Sequence, residues 1–191
     1  MEKIYGLLTV SAILCAAGCL YSQSGGGFGS ITNVSEGVRE YKSELHDGYS
    51  FRFKAPLAFD ENASSDNALI TSLIFGEPSN NSVIVVGIMP SFIVRKDWLK
   101  EACNKDALSR QLKSQRNLNV TEVKSVTDRN FKNLKSCIAE STVADQDIEL
   151  PFIVSLAECN GTLPIYVISG GPDAMNEMEF LLDSFECNLR R

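Results

Sequence analysis

The sequence predicts an α+β fold, an antiparallel β-sheet flanked by helices on both faces in a three-layer α/β/α arrangement. Three observations predict it. Short apolar or alternating runs recur from Val38 to Ser169, separated by turn residues. Two dipeptides, Asp47-Gly48 and Asn160-Gly161, suit tight hairpins whose central residues need positive φ, and hairpins imply antiparallel neighbours. Two helical segments, one between strands and one closing the chain, supply apolar faces to cover the sheet.

Val38–His46 and Tyr49–Ala55 flank Asp47-Gly48, and Tyr49, Phe51 and Phe53 alternate with Ser50, Arg52 and Lys54, giving one buried and one wet face. Pro56 ends this strand, and the polar residues 57–67 read as a loop. Ala68–Phe75 and Ser82–Met89 are apolar strands. Lys96–Gln115 is helical in composition, but its stripe changes phase. Leu99, Ala102 and Cys103 share one face and Leu108 and Leu112 another, so a break near Asn104-Lys105 is expected, with Asp106 as a fresh N-cap. Val120–Thr127, Leu134–Val143, Ile148–Cys159 and Thr162–Ser169 complete the strands. Pro164, which lacks a ladder donor, predicts that the last of them lies at an edge. Asp173 then caps a closing helix whose residues Met178, Leu181, Leu182, Phe185 and Leu189 form one stripe.

The N-terminus carries most of the functional information. Residues 1–18 have a short charged start and an apolar stretch, too short to cross a ~30 Å hydrocarbon core comfortably, and read as a signal peptide. The end of that stretch, Ala16-Ala17-Gly18-Cys19, resembles the bacterial lipobox, with Ala16 where that motif prefers Leu. The resemblance implies lipid attachment, palmitate included, at Cys19. Ordinary signal peptidase also accepts Ala16 and Gly18, which would leave Cys19 an unmodified thiol. Ser22–Ser30, rich in glycine and serine, suits a tether across residues 19–37 that lets a domain at 38–191 clear lipid headgroups. Leu20 is not the Asp that resembles an inner-membrane retention signal, so in a Gram-negative envelope the outer membrane is favoured, with the domain in the periplasm. Five Asn-x-Ser/Thr sequons, at Asn33, Asn62, Asn80, Asn119 and Asn160, keep a secreted glycoprotein open as a second reading.

The element order, the entry strand "GYSFRFKAP" and the closing "FLLDSF" resemble the PsbP-like superfamily, which includes DcrB-like bacterial envelope lipoproteins. The resemblance covers residues 38–189. It implies binding and assembly roles rather than a reaction.

Composition agrees with that. The net charge of −6 with scattered Lys and Arg opposes phosphate backbones, so nucleic acid is not an expected partner. His46 is the one histidine and sits beside a turn, which leaves no triad or multi-histidine metal site. Asp145, Asp147 and Glu149 lack the glycine and distal glutamate of a calcium loop and read as a solvated turn. Gly25–Gly29 follows no strand and precedes no Gly-Lys-Ser/Thr, so it is not a phosphate loop. Trp98 reads as a core aromatic at the start of a helix, with an interface anchor as the alternative. Neither a catalytic residue, nor a cofactor, nor a metal ligand is expected.

Cys103, Cys137, Cys159 and Cys187 suit structural disulfides in an exported domain, and four cysteines allow three pairings. Levelling elements by their rise selects among them. A helix from Asp173 to Cys187 rises ~21 Å, close to the ~23 Å of the strand before it, which brings Cys187 back beside Cys159. Cys103 comes level with Cys137 in the same way. If Val143 pairs with Leu150, Cys137 lies opposite Leu156 and Cys159 points to the other face, so each cysteine meets a different helix. A register shifted by three would pair Cys137 with Cys159. The expected bridges are Cys103–Cys137 and Cys159–Cys187. The function they serve is read as that of a non-catalytic, lipid-anchored envelope protein that binds a protein partner or supports envelope assembly. The alternative is a periplasmic immunity protein that blocks a toxin enzyme.

Overall fold

The computed structural model describes residues 30–35, 38–44, 49–56, 60–67, 70–77, 82–89, 95, 97–114, 119–145, 148–161 and 163–189. The sequence-predicted Cys19 site and the turn carrying His46 lie outside them. The described residues form eleven strands and three short helices. The strands are β1 Ser30–Ser35, β2 Val38–Glu44, β3 Tyr49–Pro56, β4 Asp60–Asn67, β5 Ile70–Glu77 and β6 Ser82–Ile88, followed after two helices by β7 Val120–Phe131, β8 Leu134–Asp145, β9 Ile148–Cys159 and β10 Leu163–Gly170, with β11 Glu186–Leu189 after the third helix. The helices are α1 Trp98–Ala102, α2 Lys105–Lys113 and α3 Ala174–Asp183.

This corrects the expected fold class. The protein is mostly β, with two antiparallel sheets, and is not a three-layer α/β/α sandwich with helices on both faces. Seven strands run in the order β4-β5-β6-β10-β9-β8-β7, and a separate four-stranded sheet runs β1-β2-β3-β11. The second sheet arises because two segments read otherwise are strands. Ser30–Ser35, inside the supposed tether, pairs with β2. Glu186–Leu189, inside the supposed closing helix, pairs with β3. That helix therefore stops at Asp183, and Phe185 and Cys187 leave the helical period for alternation, both buried.

Each face of the large sheet has its own core. On one, Ile84, Ile88, Ile138, Ile165 and Val167 pack against α3 and the inner face of the second sheet. Phe51 and Phe53 meet Phe185 there and Tyr41 stacks on both, with Tyr41–Phe53 and Phe53–Phe185 ring centroids 5.4 and 5.7 Å apart. On the other, Val85, Val154, Leu156 and Ile168 lie under Trp98 and Ala102 of α1 and Leu108 and Leu112 of α2. Ser141 sits in the sheet with its hydroxyl donating to the Phe152 carbonyl at 2.6 Å, which satisfies a polar group that is 2% exposed.

Gly87 and Tyr166 are register partners on β6 and β10. A Cβ built on Gly87 would overlap the Tyr166 ring, so the glycine is what lets that fully buried side chain lie across the neighbouring strand.

Pro164 does not mark an edge. β10 is paired with β9 on one side and β6 on the other, and all eight of its residues are buried. The missing donor is tolerated because β6 pairs with β10 only from Ile165 onward, and at Pro164 its carbonyl accepts from Met89 N at 3.0 Å. The break in the middle helical segment falls where expected, but Asn104 caps α2 in place of Asp106. Its side-chain oxygen accepts from Asp106 N and Ala107 N, both at 3.1 Å. Asn104→Ala is expected to cost ~1 kcal/mol, read as a lower urea midpoint at unchanged slope.

Residues 60–67, expected as loop, are strand β4, held by main-chain pairing to β5. The pairing Val143↔Leu150 with Cys137↔Leu156 is the one considered from the sequence. Asn160 and Gly161 both have positive φ, 53° and 70°, as the hairpin between β9 and β10 requires.

Candidate functional site

The structure brings Cys103 beside Cys137 and Cys159 beside Cys187 as two disulfides, with Cα–Cα separations of 5.8 and 6.3 Å. Each staple ties the large sheet to something that covers it. Cys103 is the C-cap of α1 and reaches down to Cys137 in β8. Cys159, at the end of β9, joins Cys187 in β11 of the second sheet. Cys187 is thus a strand residue, where the sequence predicts the last turn of a helix, and it meets Cys159 from the second sheet. The Asn160 amide fixes the local geometry by donating to the Cys187 carbonyl at 3.1 Å. Covalent closure of this kind suits a domain that works in an oxidising compartment.

The outer face of the second sheet carries a charged row. Ser30, Lys42, Arg52 and Glu186 lie side by side across its four strands. The Arg52 Nε and Nη2 both donate to Glu186 Oε2, at 2.8 and 2.5 Å. That hydrogen bond, reinforced by the charge of Glu186, raises the Arg52 pKa. Along β2, Lys42 Nζ contacts Glu40 Oε2 at 2.7 Å. The hydrogen bond from Lys42, with the positive charges of Lys42, Arg52 and Lys54, outweighs desolvation and holds the Glu40 carboxyl below its ordinary value of 4.5. A third ion pair joins Arg129 of β7 to Glu179 of α3. Arg52–Glu186 joins residues 134 positions apart, so neither local spacing nor charge patterning announced it.

A depressed carboxylate pKa fixes the sign of its pH dependence. The contribution of Glu40 is complete above its unfolded pKa and is lost as pH falls through the lower folded value. Because Lys42 is half-exposed the effect is small, under ~1 kcal/mol. Lys42→Met is expected to flatten the acid limb of stability against pH by that amount, measured by urea unfolding between neutral pH and pH ~3.

The other sequence-predicted positions divide simply. Trp98 is a core residue, 6% exposed under the first turn of α1. Glu149 is exposed on β9, while Asp147 lies outside the described residues. Among the described residues no three His, Cys, Asp or Glu side chains gather as a metal site. No helix among them is long and apolar enough to cross a membrane.

No family model matches the sequence, and no curated protein matches it. In fold, the chain is similar to the crystal structure of LpqN, a protein involved in cell envelope biogenesis of Mycobacterium tuberculosis. The TM-score is 0.50 at 8% sequence identity, covering 79% of this chain and 91% of that one. This likeness is one of fold. The narrower expectation of a PsbP-like or DcrB-like protein gains no support from it.

Proposed function

We propose that this chain is a lipid-anchored envelope protein that binds a protein partner in support of envelope assembly. A lipid on Cys19 holds it to the membrane, and it works without catalysing a reaction. The observation that carries the reading is the junction Ala16-Ala17-Gly18-Cys19, followed after only ten residues by the first strand, β1. A segment of that length reaches at most ~35 Å, so a domain anchored through it works at the membrane surface. The two disulfides suit the same compartment, and the fold likeness to a protein involved in cell envelope biogenesis agrees with it. Leu20 favours the outer membrane where the envelope has two.

Several acyl chains at ~0.8 kcal/mol per buried CH₂ hold such a domain firmly. Cys19→Ser is therefore expected to move nearly all of the protein from the membrane fraction to soluble or unprocessed fractions. It should also abolish incorporation of labelled palmitate. Unchanged partition and labelling in that variant would sink the lipoprotein reading.

A further inference from the structure

We propose that the Cys103–Cys137 disulfide is a reducible latch on the α1–α2 cover, opened by an exported dithiol protein, while Cys159–Cys187 is a permanent staple. The two bridges differ in access. Cys159 is 0% exposed and Cys187 4%, so both ends of that bridge are enclosed. Cys137 is also 0% exposed, but Cys103 is only partly buried, at the surface junction between α1 and α2. Thiol–disulfide exchange needs a thiolate to approach one sulfur along the S–S axis, and of the four cysteines Cys103 alone is not fully buried.

The part that Cys103 fastens depends on being fastened. α1 has five residues and α2 nine, both below the length at which a helix holds itself in water. Their seat is the packing of Trp98, Ala102, Leu108 and Leu112 on the sheet, and the bridge. Closure also buries the Trp98 indole N–H, which finds no hydrogen-bond partner among the described residues, a cost that favours opening. Beneath the cover lies an apolar sheet face that includes Val85, Val154, Leu156 and Ile168. Loosening the cover makes that face reachable.

The step balances as an ordinary exchange. A thiolate of the reductant attacks Cys103 Sγ, the S–S bond breaks, and its electron pair leaves on Cys137 Sγ, which takes up a proton. The second thiol of the reductant then attacks the mixed disulfide. This releases Cys103 as a thiol and leaves the reductant as a disulfide, two electrons having passed to this protein.

The test is a dithiothreitol titration of the full chain, with free thiols trapped by iodoacetamide, peptide mapping, and hydrogen exchange at each step. Cys103 and Cys137 are expected to alkylate at a reductant concentration about tenfold below that needed for Cys159 and Cys187. Over that range, exchange should rise in residues 98–113 while β10 stays protected. Alkylation of Cys159 and Cys187 first, or of all four together, overturns the proposal, as does simultaneous loss of protection in both regions. A Cys103→Ala/Cys137→Ala variant should show fast exchange in residues 98–113 without reductant. Exchange there equal to that of the oxidised protein would show that the bridge latches nothing.

Discussion

Gly87→Ala is expected to destabilise the protein by ~3 kcal/mol or more, one of the largest single-methyl effects in the chain. The added carbon would occupy the place of the Tyr166 ring, which is fully buried and hemmed in by the second core. The ring cannot swing outward, because β10 has strands on both sides and the side chain is enclosed in the second core. Either the ring is ejected or β6 and β10 part, and each alternative loses buried apolar area. Urea unfolding measures the loss. Tyr166→Leu in the Gly87→Ala background should recover part of it, because the shorter side chain vacates the contested volume. A Gly87→Ala protein as stable as wild type would mean that the ring does not lie over this glycine.

The second large effect belongs to the buried staple. Cys159→Ala/Cys187→Ala is expected to lose ~3–4 kcal/mol, the denatured-chain entropy of closing a loop of this size. The bridge spans 28 positions and pins a strand of four residues. Such a strand makes few ladder bonds of its own, so the loss should appear first as exchange in β11 and β3 and then as a lower unfolding midpoint. A change below ~1 kcal/mol would show that β11 is held by its pairing and by Phe185 alone.

The large sheet was legible because its strands carry local signals. Asn160-Gly161 announced the β9–β10 hairpin, and the apolar runs of β6, β8, β9 and β10 set their lengths; in the second sheet Asp47-Gly48 announced the β2–β3 pair in the same way. The outer strands β1 and β11 of the second sheet, and β4 at the edge of the large one, were not legible, for reasons that can be located. Met178, Leu181, Leu182, Phe185 and Leu189 satisfy a helical period, yet Phe185, Cys187 and Leu189 satisfy a period of two equally well. The chain changes from one to the other at Ser184, whose hydroxyl donates to the Leu181 carbonyl at 2.8 Å and accepts from Lys54 N. Only β3, more than a hundred positions away, decides between them. Ser30–Ser35 and Asp60–Asn67 are polar strands held by main-chain pairing, and a polar sequence gives no alternation to read. Pro164 misled because the rule concerns a donor that must pair, and this one stands beyond the ladder pairs of β6. The charged row on the second sheet was hidden for the same reason as its outer strands.

That sheet also sets an order of events during biosynthesis. β3 emerges early, but one of its two neighbours, β11, is made only after residue 185, and Arg52 waits for Glu186 across 134 positions. While the chain is being made, β3 offers an unpaired edge with Phe51 and Phe53 on it, an invitation to mispairing. Completion of the fold is therefore a late, non-local event, slow by topology. The second sheet of this protein closes only when its last strand, at the far end of the chain, has been made.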